Sequence, residues 1–173
     1  MSILSIVITA KAGNLNSVKQ GEKKADMLQL EWYETNKRIL HKQTAGGQKI
    51  SIRFLQENPD WKEGDLVFAD EDNLIVVEII PCDAIVIIPS TIMEAAAISY
   101  EIGNKHLPLF YFENELLIPY DPPLFRLLQA SGYIMKVEKR KLENPLKTSV
   151  SPHGHNQSNG SLFNKILRLT TTS

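Results

Sequence analysis

The apolar residues change their period once along this chain, and that change limits the folds open to it. Through residues 27–80 the repeat is close to two. Leu28, Leu30 and Trp32 alternate with Gln29 and Glu31, and after the Gly46-Gly47 turn Ile50, Ile52 and Phe54 alternate with Ser51 and Arg53. Residues 66–68 and 74–80 flank "ADEDN", a polar turn. Alternation bounded by Gly, Asn and Asp specifies strands. Residues 1–73 are therefore expected to form a small all-β unit, with "ENPDWKEGD" as a surface loop.

At Thr91 the period lengthens. Thr91 with Glu94 spaces a capping box at the head of "IMEAAAISYEI", the signature of a helix start. Helical spacing puts Ile92, Ala95, Ala96, Ser99 and Ile102 on one side and Glu94 and Glu101 on the other. Gly103 is predicted to end the helix as its C′ residue, because glycine takes positive φ without a steric penalty. "LPLFYF" and "ELLIP" read as a hairpin around Glu113-Asn114, Asp121-Pro122-Pro123 opens a second helix, and "YIMKVEK" is a last strand. Counted from residue 74 to 139, the order is β-α-β-β-α-β, the ferredoxin-like arrangement. The fold class is thus α+β: an all-β unit over 1–73, a ferredoxin-like unit over 74–148, and a flexible tail over 149–173. That tail, with "SPHGHNQSNG" at its centre, is too polar to bury much apolar area. "LFNKILRL" near its end is a short amphipathic exception.

Composition removes several function classes. Nineteen basic against twenty acidic residues give a formal charge of −1, which is no footprint for a phosphate backbone. Cys82 is the only cysteine, so neither an intramolecular disulfide nor a thiolate-rich zinc site can form. No apolar run reaches the roughly 18–20 residues that span a bilayer. "MSILSIVITAKAG" lacks a basic residue ahead of its apolar run and reads as a first strand rather than a secretory signal. Expected, then, are a cytoplasmic location, no nucleic-acid partner and no membrane partner.

Enzyme signatures are missing too. Gly46-Gly47 has neither the P-loop nor the dinucleotide spacing, and no Ser sits in a G-x-S-x-G elbow. Four histidines remain as candidates: His41, His106, His153 and His155. His41, beside Lys42, reads as an exposed strand residue. His106, in "YEIGNKHLPLF", lies just past a helix C-terminus, where the dipole alone could account for it. His153 and His155 are two apart with Gly154 between them and could close on one ion. Taken together, His106, His153 and His155 favour a divalent metal suited to imidazole: zinc, copper, iron or nickel. One chain supplies too few donors for a closed site, whereas a two-fold dimer that brings two copies of His106 together would supply enough. Two other classes remain open. One is a protein-interaction module with incidental histidines. The other is a metal-dependent hydrolase, for which the chain offers no general base beside His106.

The stretch "YEIGNKHLPL", followed by a hairpin, an acidic helix start and a histidine-containing tail, resembles the urease accessory protein UreE family. Gly103-Asn104-Lys105-His106 is the most specific part of the match. The resemblance implies a cytoplasmic homodimeric nickel metallochaperone rather than an enzyme. Zn(II) or Cu(II) would be able to replace Ni(II) in vitro. It implies that His106 meets its dimer mate at the two-fold axis, and that His153 and His155 complete the coordination. It also implies an N-terminal protein-docking domain, with the urease accessory GTPase and the urease pre-activation complex as partners. Two features depart from the family. Lys105 stands where many members carry Arg, and "LLIPYDPP" lacks the further histidines that some members have there.

Overall fold

The computed structural model describes residues 5–17 and 23–146. Its elements run β1 (Ile6–Ile8), β2 (Gly13–Asn14), β3 (Lys24–Leu30), β4 (Ile39–Gln43), β5 (Lys49–Arg53), β6 (Asp65–Ala69), β7 (Asn73–Ile79), β8 (Cys82–Ile87), α1 (Ile92–Asn104), β9 (Phe110–Phe112), β10 (Glu115–Pro119), α2 (Pro122–Ala130) and β11 (Met135–Arg140). The class is mixed α+β, with more strand than helix.

The first half builds two sheets, ordered β1-β5-β4 and β2-β6-β7-β3. Ile8, Leu28, Leu30, Ile50, Ile52, Trp61, Val67, Ile75, Val77 and Ile79 fill the core between them. This is the period-two pattern made physical: residues that alternate in sequence reach one side of a pleated strand. The run at 74–80, expected to open the second unit, goes elsewhere. It forms β7, which pairs antiparallel with β6 and parallel with β3. The reason is local. Asp70 caps the intervening turn, its carboxylate accepting the backbone N–H groups of Asp72 (2.9 Å) and Asn73 (2.6 Å), and such a short connection favours a hairpin partner.

Beyond Pro81 the elements succeed one another as β8, α1, β9, β10, α2 and β11, and the strands form one sheet ordered β11-β8-β10-β9 with antiparallel pairing throughout. Both helices cover one face. Ile98 and Ile102 from α1, and Leu124 and Leu128 from α2, pack on Ile85, Ile87, Leu116 and Ile118. On the opposite face Ala84, Val86, Phe110 and Leu117 are buried with Leu142, and Trp32 packs against them from the first half. The Trp32 and Phe110 rings meet edge to face with centroids 5.6 Å apart, a geometry in which ring edge and ring face attract. Lys141 joins Glu63 across the same boundary at 2.8 Å.

The start of α1 follows the sequence with one change. Thr91 Oγ1 accepts from Glu94 N–H at 3.1 Å, but the Glu94 carboxylate accepts from Ser90 N–H at 2.6 Å rather than from the cap residue itself. The α2 start is as spaced: the Asp121 side chain accepts from Leu124 N–H at 2.8 Å, and the prolines occupy the first turn. The Glu113-Asn114 turn joins β9 to β10, with Phe112 opposite Glu115.

Candidate metal centre

His106 owes its position to the way α1 ends. Gly103 does not break the helix; it is part of α1, which runs to Asn104 with Lys105 as its cap residue. The left-handed residue that closes the helix is His106 itself, with φ at 55°. Its N–H donates to the Gly103 carbonyl at 3.0 Å, and Leu107 N–H donates to the Ile102 carbonyl at 3.3 Å. These are the paired bonds of a Schellman motif, whose left-handed position normally takes glycine. Leu107 then packs into the helix-side core alongside Ile102, the apolar contact that usually completes such an ending. A β-carbon in this backbone region costs about 1–2 kcal/mol. Strain of that kind marks functional positions when the surroundings hold it in place.

His106 is exposed, and so is the surface leading to it. Ile98 and Ile102 of α1 are fully buried, yet Ile92 is 88 % exposed, Met93 78 % and Tyr100 73 %. Ala96, Ala97 and Gly103 are exposed with them. The helix therefore has two apolar sides. Ile92 and Ala96, expected on the core side, belong to the outer one, because the burial direction is set by Ile98 and Ile102. A Cβ built on Gly103 meets nothing within 4 Å, so the protomer itself does not require glycine there.

The other sequence-predicted ligands, His153 and His155, lie outside the described residues. What is described is the chain leading to them. Pro145 forms an antiparallel bridge with Phe110, Tyr111 N–H donates to the Asn144 carbonyl at 3.0 Å, and Leu146 N–H donates to the Leu109 carbonyl at 2.8 Å. Residues 144–146 thus run beside β9 in the reverse direction, toward His106. Leu109 is three residues from His106, roughly 11 Å of chain. His153 is seven residues past Leu146, and seven residues can span about 23–25 Å. Both tail imidazoles are within reach.

No group of three or more His, Cys, Asp and Glu side chains gathers among the described residues. His41 is on β4, in a different sheet. Cys82, the first residue of β8, is half-buried on the face that packs against Trp32. Burial pushes its thiol above the ordinary range, and Glu31 and Asp83 add to the shift, so it stays protonated and is a poor metal ligand. The charged cluster on β10 and β11 is satisfied internally. Arg140 bonds Glu115 and Glu138 at 2.7 Å each and lies over the Phe112 ring.

A model of the "UreE urease accessory protein, N-terminal domain" matches residues 8–80. Over 164 residues the chain is 42% identical to the urease accessory protein UreE of Flavobacterium johnsoniae, covering 95% of this chain and 99% of that one. The chain belongs to the UreE family. The UreE protein of Actinobacillus pleuropneumoniae is 40% identical over 147 residues, 83% of this chain and 78% of its own. That of Acetivibrio thermocellus is 34% identical over 145 residues, 84% of this chain and 94% of its own. The match to the UreE N-terminal model stops at residue 80, where β7 has ended and Pro81 removes a backbone donor. With 95% of the chain aligned to one UreE relative, membership extends to the half that carries His106.

Proposed function

We propose that the protein is a nickel metallochaperone for urease maturation. Two copies pair about the exposed apolar side of α1, and their His106 imidazoles share one Ni(II) ion as cargo. His153 and His155 of the tails complete the coordination. The observation that carries this reading is the meeting at His106 of three features: a left-handed, exposed imidazole, an unpartnered apolar helix side, and a chain end directed back toward both. Imidazole donors suit nickel, and zinc or copper as substitutes.

The proposal includes the architecture. Residues up to 80 form a β-rich docking domain, 82–146 a ferredoxin-like metal-binding and dimerisation domain, and 149–173 the ligand-bearing tail. The first boundary is drawn at Ile80-Pro81 rather than at 73/74, a choice supported by the pairing of β7 with β6 and β3. The protein works in the cytoplasm without catalysing a reaction. The receiving partner is the urease accessory GTPase within the urease pre-activation complex. A cargo site must also let go, and donors that leave one at a time divide the barrier, since each tenfold in affinity is about 1.4 kcal/mol.

Calorimetric nickel titration with the mass measured in parallel tests the proposal. The expected result is one tight ion per two chains, abolished by His106→Ala in a folded dimer. One tight ion on a monomer, or undiminished binding in the variant, overturns it.

A further inference from the structure

The outer face of the β1-β5-β4 sheet has a composition that the metal reading leaves unused. Register places Val7, Ser51 and His41 in one row, and Arg53 opposite Ile39 in the next. Val7 is 55 % exposed and Ile39 67 %. Both are β-branched, on the side of the sheet away from the core residues Ile8, Ile50 and Ile52. The charge on this face has one sign. Lys49 and Arg53 are exposed on it, no strand residue facing outward there is acidic, and neither cation is in an ion pair among the described residues. The nearest acidic residue along the chain is Glu57, in the loop beside a groove that Arg53 also lines.

Arg53 is also aimed. Its Nε donates to Ser51 Oγ at 3.2 Å, and Ser51 is only 3 % exposed, held between Val7 and His41. Fixing the guanidinium through Nε leaves its two terminal nitrogens without an ion-pair partner among the described residues, and such a fork can grip a carboxylate through two parallel bonds. A free surface arginine would lose rotamer freedom on binding; this one has already lost part of it.

We infer that this face docks an extended protein segment in which carboxylate and aliphatic side chains take turns at every second residue, so that both fall on the side facing the sheet; one carboxylate bonds the Arg53 fork while the aliphatic groups cover Val7 and Ile39. Two outward cations fall short of the cluster of four to eight that a lipid surface calls for. The one ring among these outward strand residues, the His41 imidazole, also falls short of the successive aromatic platforms on which nucleic-acid bases stack. The inference rests on the docking-domain part of the proposed function and not on its nickel site, so peptide titration and nickel titration fail independently.

The test uses the metal-free, full-length, nitrogen-15-labelled protein titrated with acetyl-Val-Ser-Glu-Ser-Val-Ser-Glu-amide, which puts valine and glutamate on one face of an extended chain. Expected are saturable amide shifts confined to β1, β4 and β5, affinity reduced at least about tenfold by Arg53→Glu, and a smaller loss in Arg53→Lys, which keeps charge without the fork. The same peptide with lysine for glutamate should not bind. Lys49→Glu is a second variant should Arg53→Glu disturb the spectrum elsewhere, and it too should weaken binding. Shifts outside this sheet, no saturation at millimolar peptide, or equal affinity in the charge-reversed variants overturn the inference. So does tighter engagement of the same residues by oligo-dT or by phosphatidylserine vesicles.

Discussion

Replacing His106 with glycine should make the metal-free protein more stable while abolishing the nickel binding proposed for it. Residue 106 has φ at 55° and closes α1, where a side chain costs about 1–2 kcal/mol. Glycine removes that cost but loses about 0.5–1 kcal/mol more chain entropy on folding than alanine does. The surplus is roughly 0.5–1 kcal/mol in favour of His106→Gly over His106→Ala, or about 1–4 °C in Tm for a chain of this size. Burial adds little, because the imidazole is exposed and its loss opens no cavity. The assay is urea and thermal unfolding of both metal-free variants and the parent, followed by nickel titration of each. Both variants should lose tight nickel binding, while only the glycine variant unfolds later. If glycine and alanine unfold alike, the left-handed backbone stores no strain and the account of the helix end is wrong. If either retains tight nickel, His106 is not the ligand.

Gly103 is helical, without positive φ, and faces open space, so Gly103→Ala should stabilise the protomer by about 0.5–1 kcal/mol. The added methyl should at the same time weaken dimerisation in sedimentation experiments, and unchanged association would place the interface elsewhere. Ending the chain after Val150 keeps the bonds of residues 144–146 to the β9 region, so stability should hold while nickel affinity falls. His153→Ala with His155→Ala should reproduce that fall, and a truncation effect that the double variant lacks would rule out these imidazoles as donors. Burial alone would raise the Glu34 pKa, but hydrogen bonds from Lys42 (2.6 Å) and Glu31 N–H (3.0 Å) leave it lowered. A carboxylate lowered in the folded state contributes stability above its ordinary pKa and loses it as pH falls through the folded value. Lys42→Met should therefore cost up to about 1 kcal/mol at neutral pH, given the partly exposed pair. The difference should close in acid, and a urea midpoint gap independent of pH would contradict this.

Much of the architecture was legible because period and caps are local. Ile50, Ile52 and Phe54 alternate and face one core; Thr91 and Asp121 begin helices because their side-chain oxygens can accept backbone N–H groups a turn ahead. What failed to show was non-local or depended on surroundings. The apolar run of β7 suits either sheet, and only its pairing with β3, more than forty residues earlier in sequence, assigns it. Gly103 looked like a helix stop because glycine usually takes the left-handed position, yet Leu107 packing beside Ile102 sets the ending three residues later. Ile92 has the spacing of a core residue, and only the burial of Ile98 and Ile102 turns it outward. His106 could be singled out as a candidate, but its left-handed backbone could not be read from its neighbours. The same holds for the Arg53 fork, which needs the i, i+2 geometry of a strand to bring Ser51 Oγ to its Nε.

The contact between Trp32 and Phe110 makes the two halves each other's cofolding partner. Scission at Pro81 would leave Trp32 on one fragment and a bare patch of Phe110, Leu117 and Val86 on the other. Each piece would then carry the complement of the other's wound, and the two should reassociate when mixed rather than persist as separate modules. The chain also carries its own optical gauge of that event. Trp61 lies sealed in the first core at 2 % exposure, while the Trp32 ring is at the junction. In a Trp61→Phe background the remaining indole emission would redden when the halves part and return when they rejoin, which separates loosening of the joint from melting of either side.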